Sequence, residues 1–398
     1  MFPAILLFSC NGKSGGPISA PLVTDVKIEI GIKKNIHSFV LNEDRQLWIY
    51  VPNSFNYSIY RGQKRYPVVY LLDGDVNFHS FTGIMEHLSN GNGNTICPDM
   101  LVVAILNTNR TRDLTPTRCP VEDSTSGGGA RFIAFMEREL IPYIDSLYHP
   151  LPFRMLVGHS YGGLTVVNAL LHHPDSFNAF VAIDPSMAWD SQKLLRESSE
   201  ILKTKDFKDR FLFIGMANTL TDDMDLRHLR SDTSAAHQHI KSLFSLVEKF
   251  RIIKNPSLKW DYNYYEDENH YSVPLRGEYD ALHFIFREYD FTAYNELLEG
   301  NFSADSCLNM VLSHYRLVSQ KLQCDLLPPE KLINAIGYAF LENHAADKAF
   351  VFFQWNITHY ADGYNVYDSM GDYYSETGDN NIAELYYDKA ILLESKLK

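Results

Sequence analysis

A chain of 398 residues is long enough for one large catalytic domain and a smaller second one, and an apolar content of 45% supplies their cores. Its 36 basic and 49 acidic residues leave a formal charge of −13, and no basic run offsets it. General binding to nucleic-acid phosphates or to an anionic membrane surface is thereby excluded.

The chain begins Met1-Phe2-Pro3-Ala4-Ile5-Leu6-Leu7-Phe8-Ser9-Cys10 and turns at once to the polar Asn11-Gly12-Lys13-Ser14-Gly15-Gly16. An apolar stretch closed by a small residue and a cysteine resembles the lipobox of bacterial lipoproteins. In that reading Cys10 is an acylated membrane anchor, residues 1–22 are a signal and tether, and the protein is periplasmic or membrane-anchored. The stretch has no basic lead and carries a bulky Phe8, so a cytoplasmic chain with an unstructured start is the alternative. No other segment approaches the roughly 18 apolar residues of a membrane span.

Residues 23–52 alternate in strand fashion, with Val26–Ile30 and Gln46–Val51 predicted as an antiparallel pair. Continuous apolar runs follow at Val68–Leu72, Leu101–Leu106, Met155–Val157, Phe180–Ile183 and Phe211–Ile214, the pattern of strands covered on both faces. Helix-period segments separate them at Phe78–Leu88, Arg131–Leu147, Leu164–His172 and Ala235–Phe250. A last strand is predicted at Leu258–Tyr265, with a helix running on to Tyr289. The resulting α/β class is a mainly parallel sheet of about eight strands flanked by helices, the layout of an α/β-hydrolase over residues 23–292.

Residues 293–398 change character. Gly337 and Gly371, Phe340 and Tyr374, Ala349 and Ala383, and Phe353 and Tyr387 repeat at a spacing of 34. This period resembles the tetratricopeptide repeat, with two units from Glu330 and from Tyr364 and a degenerate helical pair expected between Asn295 and Leu322. Asn356 and Ala361 depart from the pattern, which otherwise predicts a small all-helical tail that caps the catalytic domain, binds a protein partner or self-associates. Cys97, Cys119, Cys307 and Cys324 show no metal-ligand spacing; they are read as buried thiols, or as two disulfides if the protein is exported.

Gly158-His159-Ser160-Tyr161-Gly162-Gly163, directly after a buried strand, fits G-x-S-x-G, in which a serine sits on a sharp strand-to-helix turn. Ser160 is therefore the candidate nucleophile, and as an alcohol it needs a base. His270 follows the last strand, where the chain order of this fold puts that base. His159 is expected to point away from the base position and to pack or hydrogen-bond behind it. The acid should follow Phe211–Ile214, but Thr219 stands there; Asp222 is the choice, with Asp223, Asp225, Glu266, Glu268 and a bare serine-histidine dyad left open. Backbone N–H groups of Tyr161 and Asp75 are the expected oxyanion donors, Gly74 allowing the approach. Arg112 or Arg110, after the fourth strand, is placed to meet a polar or anionic substrate group, or Arg112 to pair with Asp113. Gly127-Gly128-Gly129 reads as a mobile stretch without phosphate-loop spacing. Ser186–Phe207 is expected to form a lid or wall.

Tyr70-Leu71-Leu72-Asp73-Gly74, Asn109 to Pro116, the serine turn, Asp184-Pro185-Ser186-Met187-Ala188-Trp189-Asp190 and His270-Tyr271-Ser272-Val273-Pro274 together resemble the putative esterase family over residues 25–290. That family includes siderophore esterases, esterase D-like enzymes, feruloyl esterases and mycolyl transferases. The resemblance implies a serine carboxylic-ester hydrolase with Ser160 as nucleophile and His270 as base, working on a small-molecule ester such as a siderophore-like or other phenolic ester. No metal or organic cofactor is required. An acyltransferase, a serine peptidase, and a catalytic relic that works through its helical repeats are the competing readings.

Overall fold

The computed structural model describes residues 28–52, 65–90, 94–229 and 231–396. Cys10 and the segment read as a tether lie outside the described residues.

The described residues from Gly31 onward form one compact unit around an eight-stranded sheet, ordered β1-β2-β4-β3-β5-β6-β7-β8. The strands are β1 (Ile32–Ser38), β2 (Glu43–Tyr50), β3 (Val68–Leu71), β4 (Leu101–Ile105), β5 (Arg154–His159), β6 (Ala179–Ile183), β7 (Arg210–Ala217) and β8 (Leu258–Tyr265). β1, β2 and β4 pair antiparallel; every other neighbour is parallel. Of the opening pair predicted from Val26, residues 26–27 lie outside the described residues and the strand is found from Ile32; the remaining strands fall where the apolar runs lie.

Those runs are continuous because both sheet faces are covered. Val69, Leu71, Met155, Val157 and Val181 enter one apolar cluster, whereas their neighbours Val68, Tyr70, Leu156, Phe180 and Ala182 enter the other, the alternation a pleated strand requires. The first face is covered by α1 (Gly74–Asn90) and α8 (Val273–Ile285). The second face is covered by α3 (Gly129–Phe135), which continues through a π-helical turn at Met136–Leu140 into α4 (Ile141–Tyr148), by α5 (Tyr161–His172), and by α6 (Trp189–Thr204) and α7 (Gln238–Ile253). A short α2 (Arg110–Leu114) follows β4, capped by the Asn109 side chain.

The helical tail comprises α9 (Tyr294–Glu299), α10 (Ala304–Leu322), α11 (Glu330–Glu342), α12 (Ala346–His359), α13 (Tyr364–Glu376) and α14 (Asn380–Ser395). Its apolar residues, among them Val311, Tyr315, Phe340 and Phe353, belong to the same cluster as Val69 and Val181 of the sheet. The two helix pairs repeat one packing device. A Cβ on Gly337 would lie 2.7 Å from the Phe353 ring, and one on Gly371 would lie 2.5 Å from the Tyr387 ring. Asn356, buried where a small residue is expected, donates from Nδ2 to the Glu330 carbonyl at 3.0 Å. Cys97, Cys307 and Cys324 are buried and Cys119 is half-buried; all four are free thiols. Among the described residues, no helix is long and apolar enough to cross a membrane.

Candidate active site

The register of the parallel strands brings four loops to one edge of the sheet. His159 of β5 pairs with Ile183 of β6, Ile183 with Gly215 of β7, and Ala217 of β7 with Tyr265 of β8. The residues that follow these strands therefore emerge side by side.

Ser160 occupies the turn out of β5 with φ 59° and ψ −115°, a conformation costly for a residue with a Cβ. The turn is closed by its glycines: a Cβ on Gly158 would lie 2.5 Å from the Gly162 carbonyl carbon, and one on Gly163 would lie 2.9 Å from the Ile183 oxygen. Neighbouring backbone holds it further, with Ser160 N–H donating to the Ile183 carbonyl at 2.9 Å and Ser186 N–H to the Ser160 carbonyl at 3.1 Å. The strain is thus fixed by β6 as well as by β5, and the Ser160 hydroxyl is left half-exposed. Ser160 Oγ lies 3.2 Å from His270 Nε2 and 3.2 Å from Ser186 Oγ.

His270 lies in the loop after β8, which is tied to the loop after β7. Asn218 N–H donates to the Glu268 carbonyl at 2.8 Å and Asn218 Nδ2 to the Glu266 carbonyl at 3.0 Å. Asn269 Oδ1 then accepts from the N–H groups of Tyr271 and Ser272 at 2.9 and 3.1 Å, a tight turn around the histidine.

The carboxylate on His270 is Asp184. Its Oδ2 lies 2.5 Å from His270 Nδ1, and its Oδ1 accepts the Ala217 N–H at 3.0 Å. Asp184 is wholly buried, which by itself favours a neutral carboxyl. Hydrogen bonds from His239 and His270, with that from Ala217, outweigh burial and hold its pKa down to about 2. Asp184 is then an ionised acceptor, so neutral His270 must carry its proton on Nδ1 and turn the lone pair of Nε2 toward Ser160.

Asp222, the acid expected from chain order, stands instead on the surface, as do Asp223 and Asp225; Asp225 engages His228 at 2.8 Å. Glu266 is exposed, and Glu268 accepts from Ser272 Oγ at 2.5 Å. The correction has a plain cause. The segment after β7 runs outward from Thr219, whereas β6 lies beside β5 and ends in a carboxylate one residue beyond the Ile183 that bonds Ser160. A buried apolar run ending directly in Asp184 is the sequence signal that points to it.

His159, as expected, stands off the base position and packs. Its ring packs against that of His270, with 4.6 Å between centroids, and burial and the His270 ring beside it push its pKa down to about 4. It is neutral, and its Nε2 is buried without a partner.

Arg112 is not free to meet a substrate. Its Nη1 and Nη2 grip Glu43 at 2.9 and 2.6 Å, its Nε holds Asp113 at 2.7 Å, and Arg45 closes the network on Asp113 from the buried side. Gly127-Gly128-Gly129, read as mobile, is pinned to this same region by bonds from Gly128 N–H to the Arg112 carbonyl and from Gly129 N–H to that of Thr115, at 2.8 and 3.0 Å. Arg110 is the arginine beside the serine turn. It forks onto Asp73 at 2.7 and 2.9 Å, reaches the His159 carbonyl at 3.3 Å and lies over the Tyr161 ring at 5.3 Å.

Tyr161 opens α5 and Asp75 is the second residue of α1, so both N–H groups fall in first helical turns, which have no partner four residues back. The loop before Asp75 lies against the serine turn: a Cβ on Gly162 would sit 3.1 Å from Asp73 Oδ2. Ser186–Phe207 forms a packed wall. Trp189 is buried, donates from Nε1 to the Thr117 carbonyl at 3.2 Å and meets the Tyr161 ring edge-on at 5.3 Å.

The model of the family described as putative esterase matches residues 38–215. A siderophore triacetylfusarinine C esterase of Aspergillus fumigatus is 31% identical over 156 residues, 36% of this chain and 52% of that protein. The ferri-bacillibactin esterase BesA of Bacillus subtilis is 25% identical over 225 residues, 52% of this chain and 74% of that one. The chain thus spans about half the length of the first of these relatives. The crystal structure of an IroE-like serine hydrolase from Shewanella oneidensis superposes with a TM-score of 0.69 at 28% identity, covering 83% of this chain and 99% of that one. Residues 38–215 thus resemble the putative esterase family, and the chain adopts an α/β-hydrolase fold.

Proposed function

We propose that the protein is a serine carboxylic-ester hydrolase working through an acyl-enzyme on Ser160. The observation that carries this reading is the single imidazole of His270, bonded through Nδ1 to an ionised Asp184 and through Nε2 to Ser160 Oγ at 2.5 and 3.2 Å. As Ser160 Oγ attacks the ester carbonyl, His270 Nε2 takes its proton and Asp184 stabilises the imidazolium. The tetrahedral oxyanion is met by the N–H groups of Tyr161 and Asp75, each worth about 2.7–4 kcal/mol where such donors have been removed elsewhere. His270 then protonates the leaving alcohol. A water molecule, deprotonated by the same nitrogen, releases the acid and restores Ser160.

Esters of siderophore type are the proposed substrates. The A. fumigatus and B. subtilis relatives are esterases of that kind, and this site carries aromatic surface for a phenolic or similarly planar acyl group. Tyr271, 87% exposed, stands beside His270, and half-buried Tyr161, its ring backed by buried Trp189, follows Ser160.

The test is hydrolysis by purified protein of a nitrophenyl ester and of tri-ester siderophores, with acid and alcohol products identified by mass and a run with added alcohol. Hydrolysis that vanishes in Ser160→Ala supports the reading. Hydrolysis that survives this change overturns the serine mechanism, and acyl transfer to alcohol in preference to water overturns the hydrolase.

A further inference from the structure

Asp184 receives a second imidazole for which the chemistry above has no use. His239, in the first turn of α7, places Nε2 2.9 Å from Asp184 Oδ2, the same oxygen that His270 Nδ1 approaches at 2.5 Å. The two rings meet edge to face, 5.5 Å apart at 90°. Because the carboxylate is ionised it only accepts, so His239 donates from Nε2–H. With Ala217 N–H on Oδ1, three donors from three different elements converge on a carboxylate that is wholly buried.

The need for a third donor follows from where the acid stands. Asp184 leaves β6 with φ 42°, a left-handed conformation, and its N–H is tied to the Gly215 carbonyl at 2.7 Å. The terminal torsion of an aspartate is soft, so a carboxylate held by one partner swings about it. The Ala217 N–H fixes one oxygen and leaves the other to be aimed. The segment after β7, where the acid is expected and Thr219 stands, delivers His239 to that second oxygen. The start of α7 is itself anchored there: His237 Nε2 bonds Thr221 Oγ1 at 2.9 Å and Nδ1 bonds Asp232 at 3.1 Å.

We infer that His239 is a positioning residue for the reaction proposed above, on which this inference rests: it clamps Asp184 Oδ2 in line with His270 Nδ1 and so keeps His270 Nε2 aimed at Ser160. It touches neither substrate nor Ser160 and acts through Asp184 alone. An acid supplied from β6 thus works with a histidine supplied from behind β7.

The experiment compares wild type, His239→Leu, His239→Gln, Asp184→Asn and the double variant Asp184→Asn/His239→Leu on one nitrophenyl ester. Thermal melts verify folding, and fluorophosphonate labelling of wild type verifies the nucleophile. His239→Leu is expected to lower kcat by on the order of 100-fold with KM little changed, the scale of a small misplacement of a catalytic group. His239→Gln, whose amide N–H can replace the Nε2 donor, is expected to recover most of that loss. In the double variant the His239 change is expected to add little to the Asp184 change, because it acts through that residue. Wild-type kcat in His239→Leu, a Gln variant as impaired as the Leu variant while both melt like wild type, or full additivity in the double variant would each overturn the inference. A wild type that neither hydrolyses the ester nor takes the label overturns the parent reading instead.

Discussion

Asp184 and His270 are joined by a 2.5 Å hydrogen bond although they leave strands on opposite sides of β7, the first from the end of β6 and the second from the loop after β8. The bond is short, its acceptor is buried, and its donor ring is 27% exposed at the mouth of the site. The acid is therefore screened from water while the base can reach a substrate.

Replacing this acceptor by an amide removes the charge and lets the imidazole take the wrong tautomer. Asp184→Asn is expected to reduce kcat by about 10⁴, as loss of the charge does in a comparable triad. Asp222→Asn, on the exposed loop, is expected to leave both kcat and KM unchanged. Steady-state kinetics of the two variants on the same ester check the pair.

Besides His270, Ser160 Oγ has a second partner in Ser186 Oγ, at a long 3.2 Å. A neutral hydrogen bond of this kind is worth about 1 kcal/mol, so Ser186→Ala is expected to change kcat by no more than roughly tenfold. Its extent of labelling by a fluorophosphonate is expected to match that of wild type, whereas Ser160→Ala takes no label.

Much of this arrangement is legible in the sequence. Both sheet faces are buried, so strands such as Val68–Leu71 and Ala179–Ile183 announce themselves as unbroken apolar runs, and the serine turn needs its glycines where backbone meets backbone. Ser160 and His270 follow because the first stands directly beyond a strand and the second in the loop after the last one, in an order the fold fixes. Asp184 is less legible. Its place depends on register: the Ile183 carbonyl bonds the Ser160 N–H, and no local pattern states that β5 and β6 end level. Arg112 pairs with the adjacent Asp113, one of the two readings the sequence allows, but its grip on Glu43 is hidden for the same reason, since Glu43 lies on β2, far away in the chain. The shared core of sheet and tail is hidden too, because helix periodicity says which face is apolar and not what covers it.

Glu278 on α8 is wholly buried, its Oε2 has no hydrogen-bond partner, and burial pushes its pKa up to about 8. The folded state then binds this proton more tightly than the unfolded chain, whose carboxyl titrates near 4.5. The stability it contributes is complete below about pH 4.5 and is lost as pH rises through about 8. Glu278→Gln is expected to remove that loss, giving a melting temperature above wild type at pH 9 and close to it at pH 4. Thermal melts across this range check the sign.

In the helical tail, Gly337 and Gly371 face aromatic rings at distances a methyl group cannot share. Gly371→Ala is expected to destabilise by about 1–3 kcal/mol through displacement of the Tyr387 ring, and Gly337→Ala by a similar amount through Phe353. Neither Gly337 nor Gly371 is among the residues that contact Ser160, His270 or Asp184, so the kcat of the folded fraction is expected to stay at the wild-type value. Denaturant melts combined with activity measured below the transition separate the two effects.

The most direct measurement is a fluorophosphonate reaction followed by peptide mass spectrometry on wild type, Ser160→Ala and His270→Ala. A single adduct on Ser160, absent in Ser160→Ala and formed far more slowly in His270→Ala, is the expected result. An adduct on another residue, or none on folded wild-type protein, would contradict a nucleophilic serine activated by His270.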